Sequence, residues 1–249
     1  MRFRTIRHQF TLAIGLALLA AGASAAPGYV ALGKTGDDVL KECNPNNSGA
    51  VTTCKVDSLP GESGYTLVGS RSTPLVKNDI TIGTLYDRIW RNDNHPKRYI
   101  LGMRVVVNAD QWDPSGLSFN VNDLARRLRP HAFAQAAYFR GSSTKALIAA
   151  GRTPFGLNEY DEEQPERDNS WVDFRVDANA ADPSGTSSAA SPWVLVKTRA
   201  PKGYEVAPFG ARVLNSDFEF GSSSVEIFVA SYQPKGVPEG EDDDEGDDD

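Results

Sequence analysis

Between Tyr65 and Tyr232, short runs rich in β-branched and aromatic residues recur, each bounded by Gly, Pro, Asn or Ser: Tyr65–Val68, Ile80–Tyr86, Tyr99–Val107, Trp171–Val176, Trp193–Thr198 and Val225–Tyr232. Such residues fit a pleated, half-buried surface, and the punctuation between them supplies turns. This pattern restricts the chain to sheets that bury their faces against one another. Fifteen prolines and 22 glycines work against long helices, and the strand–helix alternation of a doubly wound sheet is missing. The expected fold is mainly β, an antiparallel β-sandwich or jelly-roll-like domain with one or two short helices. One helix is expected from a cap at Asn122 through Leu124 and Leu128, stopped by Pro130. The other would start at a Thr144 cap and run through Ala150, with Gly151 just past its end.

The chain opens with Arg2, Arg4 and Arg7, then an apolar stretch from Phe10 to Ala21 broken only by Thr11, and then Ala23-Ser24-Ala25. A basic start, a short apolar run and a small-x-small site form a cleavable secretion signal. The apolar run is shorter than the roughly 18 residues a membrane-crossing helix needs. The reading is a signal peptide over 1–25, a single β-rich domain over 26–235, and a secreted or periplasmic mature chain without a transmembrane segment. The mature protein would hold only Cys43 and Cys54, across a loop containing Pro45, Asn46, Asn47 and Gly49. In an oxidising compartment that spacing predicts one disulfide. On the chain-entropy account, closing so short a loop stabilises the fold by roughly 3 kcal/mol.

Charge is unevenly distributed. The whole chain carries −7; loss of the three leader arginines takes it to −10, and nine of those negative charges lie in Glu239–Asp249, which leaves the body at −1. The terminal stretch EGEDDDEGDDD offers nothing to bury and repels itself, so 236–249 reads as a disordered acidic tail. Residues 124–158 hold Arg126, Arg127, Arg129, Arg140, Lys145 and Arg152 with no acid, and read as a charged surface balanced by the acids from Glu159 to Asp168. A nucleic-acid partner is not expected from a body so close to neutral.

One internal similarity stands out. Val107–Gly116 (VNADQWDPSG) matches Val176–Gly185 (VDANAADPSG) without a gap, and each copy comes after a strand-like run. Asp-Pro-Ser-Gly suits a type I turn, with Asp at the first corner and Pro setting φ at the second. The same elements supply Asn108, Asp110, Asp113, Asp177, Asn179 and Asp182, oxygen donors of the kind calcium takes at a loop. Calcium is therefore the one cofactor the sequence suggests, although an EF-hand's central glycine and final glutamate are missing. Trp112, inside the first copy, is the tryptophan placed to stack on a ligand. Trp171 and Trp193, within strand-like runs, are expected in the core.

Catalytic signatures are fragmentary. Ser142–Lys145 fits S-x-x-K, Ser118–Asn120 fits S-x-N and Lys34–Gly36 fits K-T-G. Together these resemble the active-site triplet of serine β-lactamases and penicillin-binding proteins, but in reversed order over only ten residues, so they carry no family assignment. Asp87, Glu159, Asp161 and Glu163 are carboxylates that a glycosidase could use. His95 and His131, the mature chain's only histidines, both sit beside prolines in turn or helix-end settings. The resulting expectation is an exported binding or surface-associated module, calcium-stabilised through the twin turns, for a glycan or surface polymer. The alternatives are a secreted carbohydrate hydrolase and a purely structural surface or matrix component.

Overall fold

The computed structural model describes residues 28–33, 54–109, 118–130, 132–141, 149–153, 170–181, 188–215 and 225–237. Within them are twelve strands: β1 (Val30–Ala31), β2 (Lys55–Val56), β3 (Tyr65–Lys77), β4 (Ile80–Asn92), β5 (Arg98–Val107), β6 (Val121–Arg127), β7 (Ala134–Phe139), β8 (Ala149–Thr153), β9 (Trp171–Ala178), β10 (Trp193–Arg199), β11 (Tyr204–Asn215) and β12 (Val225–Pro234). One sheet runs β1-β7-β10-β5-β4-β3, with β2 added parallel to β7; the other runs β12-β11-β6-β9-β8. Every other pairing within the two sheets is antiparallel. The molecule is a β-sandwich. After the β3-β4-β5 meander the chain passes back and forth between the sheets, so that β10 comes to lie between β5 and β7.

All six runs picked out from the sequence lie in strands. The two helices fare differently. The segment expected as an Asn122-capped helix is β6, paired with β9 on one side and β11 on the other. Leu124 and Leu128 satisfy a helical spacing and Leu, Ala and Arg favour helix, but a segment hydrogen-bonded on both edges follows its tertiary partners rather than its propensity. The second expected helix falls mostly outside the described residues, and its last positions, Ala149 and Ala150, belong to β8.

The core between the sheets is built from residues such as Leu85, Ile89, Leu101, Val105, Leu124, Phe174, Val196 and Val213, all essentially inaccessible. Each such side chain contributes roughly 1.5–3 kcal/mol of transfer free energy. A second apolar cluster lies on the other face of the larger sheet, where Trp90, Ile100, Trp193 and Leu195 meet Tyr29 and Val56. Tyr29 donates to Pro60 O at 2.5 Å, and Lys197 pairs with Glu62 at 2.5 Å, so the segments flanking β1 and β2 are clamped over that sheet. Trp171 and Trp193 are buried as expected, and so is Trp90. Cys54 is buried and not a free thiol; Cys43 lies outside the described residues.

Two local features fix the register of the long β3–β4 hairpin. Asn78 and Asp79 both take positive φ (50° and 62°) in the two-residue turn, the geometry whose twist matches the flanking strands and which Asn and Asp tolerate. At the irregularity between Leu67 and Gly69, a Cβ on Gly69 would come within 2.7 Å of Tyr232 Oη and 2.9 Å of Ile89 Cγ2. Gly69→Val should therefore lower stability by about 1–3 kcal/mol through overpacking, read as a lower midpoint in urea at an unchanged slope.

The sandwich also encloses an ion pair. Arg126 reaches from β6 to Asp87 on β4, Nη2 to Oδ1 at 2.8 Å and Nη1 to Oδ2 at 3.4 Å, with exposures of 0% and 1%. Asp87 Oδ2 also accepts from Ser231 Oγ (2.6 Å) and from the Tyr232 amide (2.7 Å), while Arg126 Nη1 donates to Ser231 Oγ and to Tyr232 O. The pair thus ties both sheets to β12. Asp87 is not a cleft carboxylate, and Arg126 is not part of a solvated basic surface. Arg127 is buried too, packed over the Trp171 ring at 5.7 Å on the opposite face of the strand. Pleat alternation sends neighbouring arginines to opposite faces of the sheet, and both faces of β6 are covered.

Candidate functional site

At the end of the sandwich where β5 starts and β6 and β10 finish, loops from both sheets are joined by main-chain hydrogen bonds. Ala200 N donates to Lys97 O (2.9 Å), Arg98 N to His95 O (2.8 Å), Gly203 N to Ala200 O (3.0 Å), and Lys235 N to Gly203 O (3.0 Å). Asn92 Oδ1 accepts from the amides of Asn94 and His95 at 3.1 and 2.8 Å. Thr198 Oγ1 donates to Phe133 O at 2.7 Å, drawing the β6–β7 connection against the end of β10. Turn-forming Asn, Pro and Gly residues make these links possible, and the result is a braced platform.

Two open hollows lie on that platform and share Arg199. One, of about 360 Å³, is lined by His95, Pro96, Lys97, Arg98 and Arg199 together with Asn94; the other, of about 540 Å³, is lined by Arg129, Pro130, Phe133, Pro201 and neighbours down to Gly236. Among the described lining residues there is no Asp or Glu. The nearby acid in the same loop, Asp93, accepts from Thr66 Oγ1 at 2.8 Å. Phe133 is 43% exposed, and the Arg199 guanidinium sits 5.8 Å from its ring centroid. Four cationic side chains around exposed prolines and a phenyl ring offer both halves of recognition for an acidic sugar: planar forks for carboxylate or sulfate, and flat apolar surface for a ring.

No family model, curated protein or solved structure matches this chain. The chemistry of the site therefore rests on its own geometry.

The residues singled out in the sequence fare unevenly. His95 lies in an exposed turn, as expected, and lines the first hollow. Arg129 is the one arginine of the 126–129 group that reaches the platform. No sequence signal joins Lys97 and Arg98, at the start of β5, with Arg199, at the end of β10, because only the pairing of those two distant strands brings them together. Of the proposed calcium ligands, Asn108, Asp177 and Asn179 lie at the opposite end of the sandwich. There the ends of β5 and β9 are both bonded by the segment 188–190: Val107 N donates to Ala189 O (2.8 Å) and Asn179 N to Ser188 O (3.0 Å). The twin elements thus leave the two sheets side by side. Asn108 Nδ2 donates to Thr81 O at 2.8 Å, and Asn179 Oδ1 accepts from the Ala181 amide at 2.9 Å, an Asx-type turn. Asp110, Trp112, Asp113 and Asp182 lie outside the described residues, as do His131, Glu159, Asp161, Glu163 and Lys145. Among the described residues no group of three or more His, Cys, Asp or Glu is placed to hold a metal.

A second charged cluster occupies the outer face of the smaller sheet. Asp123 pairs with Arg175 (3.3 Å) and Arg212 with Glu226 (2.9 Å), while the Arg212 guanidinium covers the Trp171 ring at 4.4 Å. Asp173, on β9 between these groups, is 3% exposed, and its Oδ1 has no hydrogen-bond partner among the described residues. Burial and then the neighbouring Asp123 charge push its pKa up to about 8; Arg212, Arg175 and the Phe174 amide only partly oppose this. A neutral acid beside an ionised one is the pattern of an acid–base pair. Here Asp123 and Asp173 are both shut away from solvent, which suits a structural cluster.

Proposed function

We propose that this chain is an exported β-sandwich binding module that holds an acidic polymer, a glycan bearing carboxylate or sulfate groups, on the platform formed by Arg129, Lys97, Arg98 and Arg199. The observation that carries this reading is the pair of adjoining hollows with a cationic, acid-free described lining and exposed Pro96, Pro130, Pro201 and Phe133. The export leader and a Cys43–Cys54 bridge belong to the same proposal, since they would place the module where such polymers occur. Contacts of this kind depend on salt, because exposed charges are screened over about 8 Å at physiological ionic strength.

The test is binding of the mature protein to immobilised heparin and to polygalacturonate across a salt series. The double variant Arg129→Glu/Arg199→Glu should lose at least tenfold in affinity at low salt and show a shallower salt dependence. A charge-matched control, Lys55→Glu/Lys77→Glu, should fall far less. Equal losses in the two variants would reduce the interaction to net charge and remove the site.

A further inference from the structure

The path of the chain points to a ligand for the platform within the same molecule. The described chain leaves β12 through Lys235 and Gly236, and Gly236 itself lines the larger hollow. A Cβ on Gly236 would sit 3.5 Å from Lys202 Nζ, so this exit is flanked by a further cation. Val237 is buried, pinning the chain at the rim. Beyond it the sequence continues with Pro238 and the eleven residues Glu239–Asp249, nine of them acidic.

We propose that the acidic tail is an autoinhibitory occupant of the basic platform, competing with the external polyanion. The inference rests on the reading of the platform as an anion-binding site, and assigns its regulation. Charge complementarity and tether geometry support it together. Twelve residues extend to roughly 40 Å, ample to cover two hollows whose shared residue, Arg199, lies beside the point of exit. A short tether of this kind holds its charges at an effective concentration in the millimolar range, so weak carboxylate–guanidinium contacts suffice to occupy the site at low salt. They lose to an external polymer with denser charge, or to added salt. A tail serving only solubility would meet nearby lysines through its tether alone, and would keep that preference at high salt and in Arg129→Glu/Arg199→Glu.

Zero-length carbodiimide coupling of the full mature chain, mapped by mass spectrometry, tests the docking without any external polymer. Tail carboxylates should couple to Lys97 and Lys202 at least fivefold more than to Lys55 and Lys77 at low salt. The preference should disappear at about 0.5 M salt, where the screening length is only a few ångströms, and in Arg129→Glu/Arg199→Glu. Coupling spread evenly over the lysines, or absent, overturns the proposal. A second variant, with the nine tail acids replaced by Asn and Gln, should bind heparin three- to tenfold more tightly than the wild type at low salt. The two should converge at high salt. Equal heparin affinity with and without tail charge, while Arg129→Glu/Arg199→Glu still abolishes binding, would sink the autoinhibition and leave the polymer site standing. Heparin binding insensitive to the arginines would sink the site instead, with the coupling pattern judging the tail on its own.

Discussion

Arg126→Met is expected to destabilise the protein by about 3–5 kcal/mol, the range for breaking a buried ion pair and stranding its partner. The magnitude comes from the charge left behind. Asp87, 1% exposed in the middle of the sandwich, would keep Ser231 Oγ and the Tyr232 amide but lose the guanidinium that compensates its charge. Asp87→Leu should be comparably damaging, since it leaves Arg126 uncompensated. The double variant Asp87→Leu/Arg126→Met should recover much of the loss, because a buried pair replaced by apolar groups of similar volume costs little. Urea unfolding of the four proteins closes the cycle, and near-additive losses would show that the pair does not act as a unit.

The second large effect concerns pH. Asp173 is held near pKa 8 in the folded protein against an ordinary value of 3.8, so the folded state keeps this proton over a range where the unfolded chain has lost it. Below about pH 4 both states are protonated and the group has no effect on stability. As pH rises towards 8 the unfolded state gains from ionisation, so stability falls, by at most about 1.4 kcal/mol per pH unit for one proton; above about pH 8 the loss is complete. Asp173→Asn cannot ionise. Relative to wild type it should be similar in stability near pH 4 and clearly more stable at pH 9, on the order of 2 kcal/mol or more. Denaturant midpoints at the two pH values check this. Parallel curves for the two proteins would mean that Asp173 does not hold the proton.

These effects come from side chains whose types are visible in the sequence but whose environments are not. Arg126 and Arg127 sit within an acid-poor run that reads as surface charge. The structure sends Arg126 inward to Asp87, 39 residues earlier in the chain, and Arg127 to the Trp171 ring. No local pattern separates an arginine with a distant buried partner from one in water. Similarly, Asp87 could be named as a carboxylate available for catalysis only while its surroundings were unknown. The helix expected at Asn122 failed for a related reason: its Leu124–Leu128 spacing is local information, whereas membership of a sheet depends on the distant strands β9 and β11.

The class of fold and the positions of six of the twelve described strands, β3, β4, β5, β9, β10 and β12, were legible in the sequence alone. Alternating β-branched and aromatic runs such as Tyr99–Val107 and Trp193–Thr198 must bury a face, and the Gly, Pro and Asn residues between them allow the chain to reverse. The sharp segregation of acid into the residues after Pro238 is likewise a matter of composition alone. The platform was decided only by tertiary structure. Lys97, Arg129 and Arg199 lie before β5, after β6 and at the end of β10, as much as 102 positions apart, and become neighbours because β5 and β10 pair while β6 packs in the opposing sheet. A strand pattern specifies which faces are buried; it does not specify which loops share an end, because that depends on strand order, and strand order is selected by the packing of the whole core.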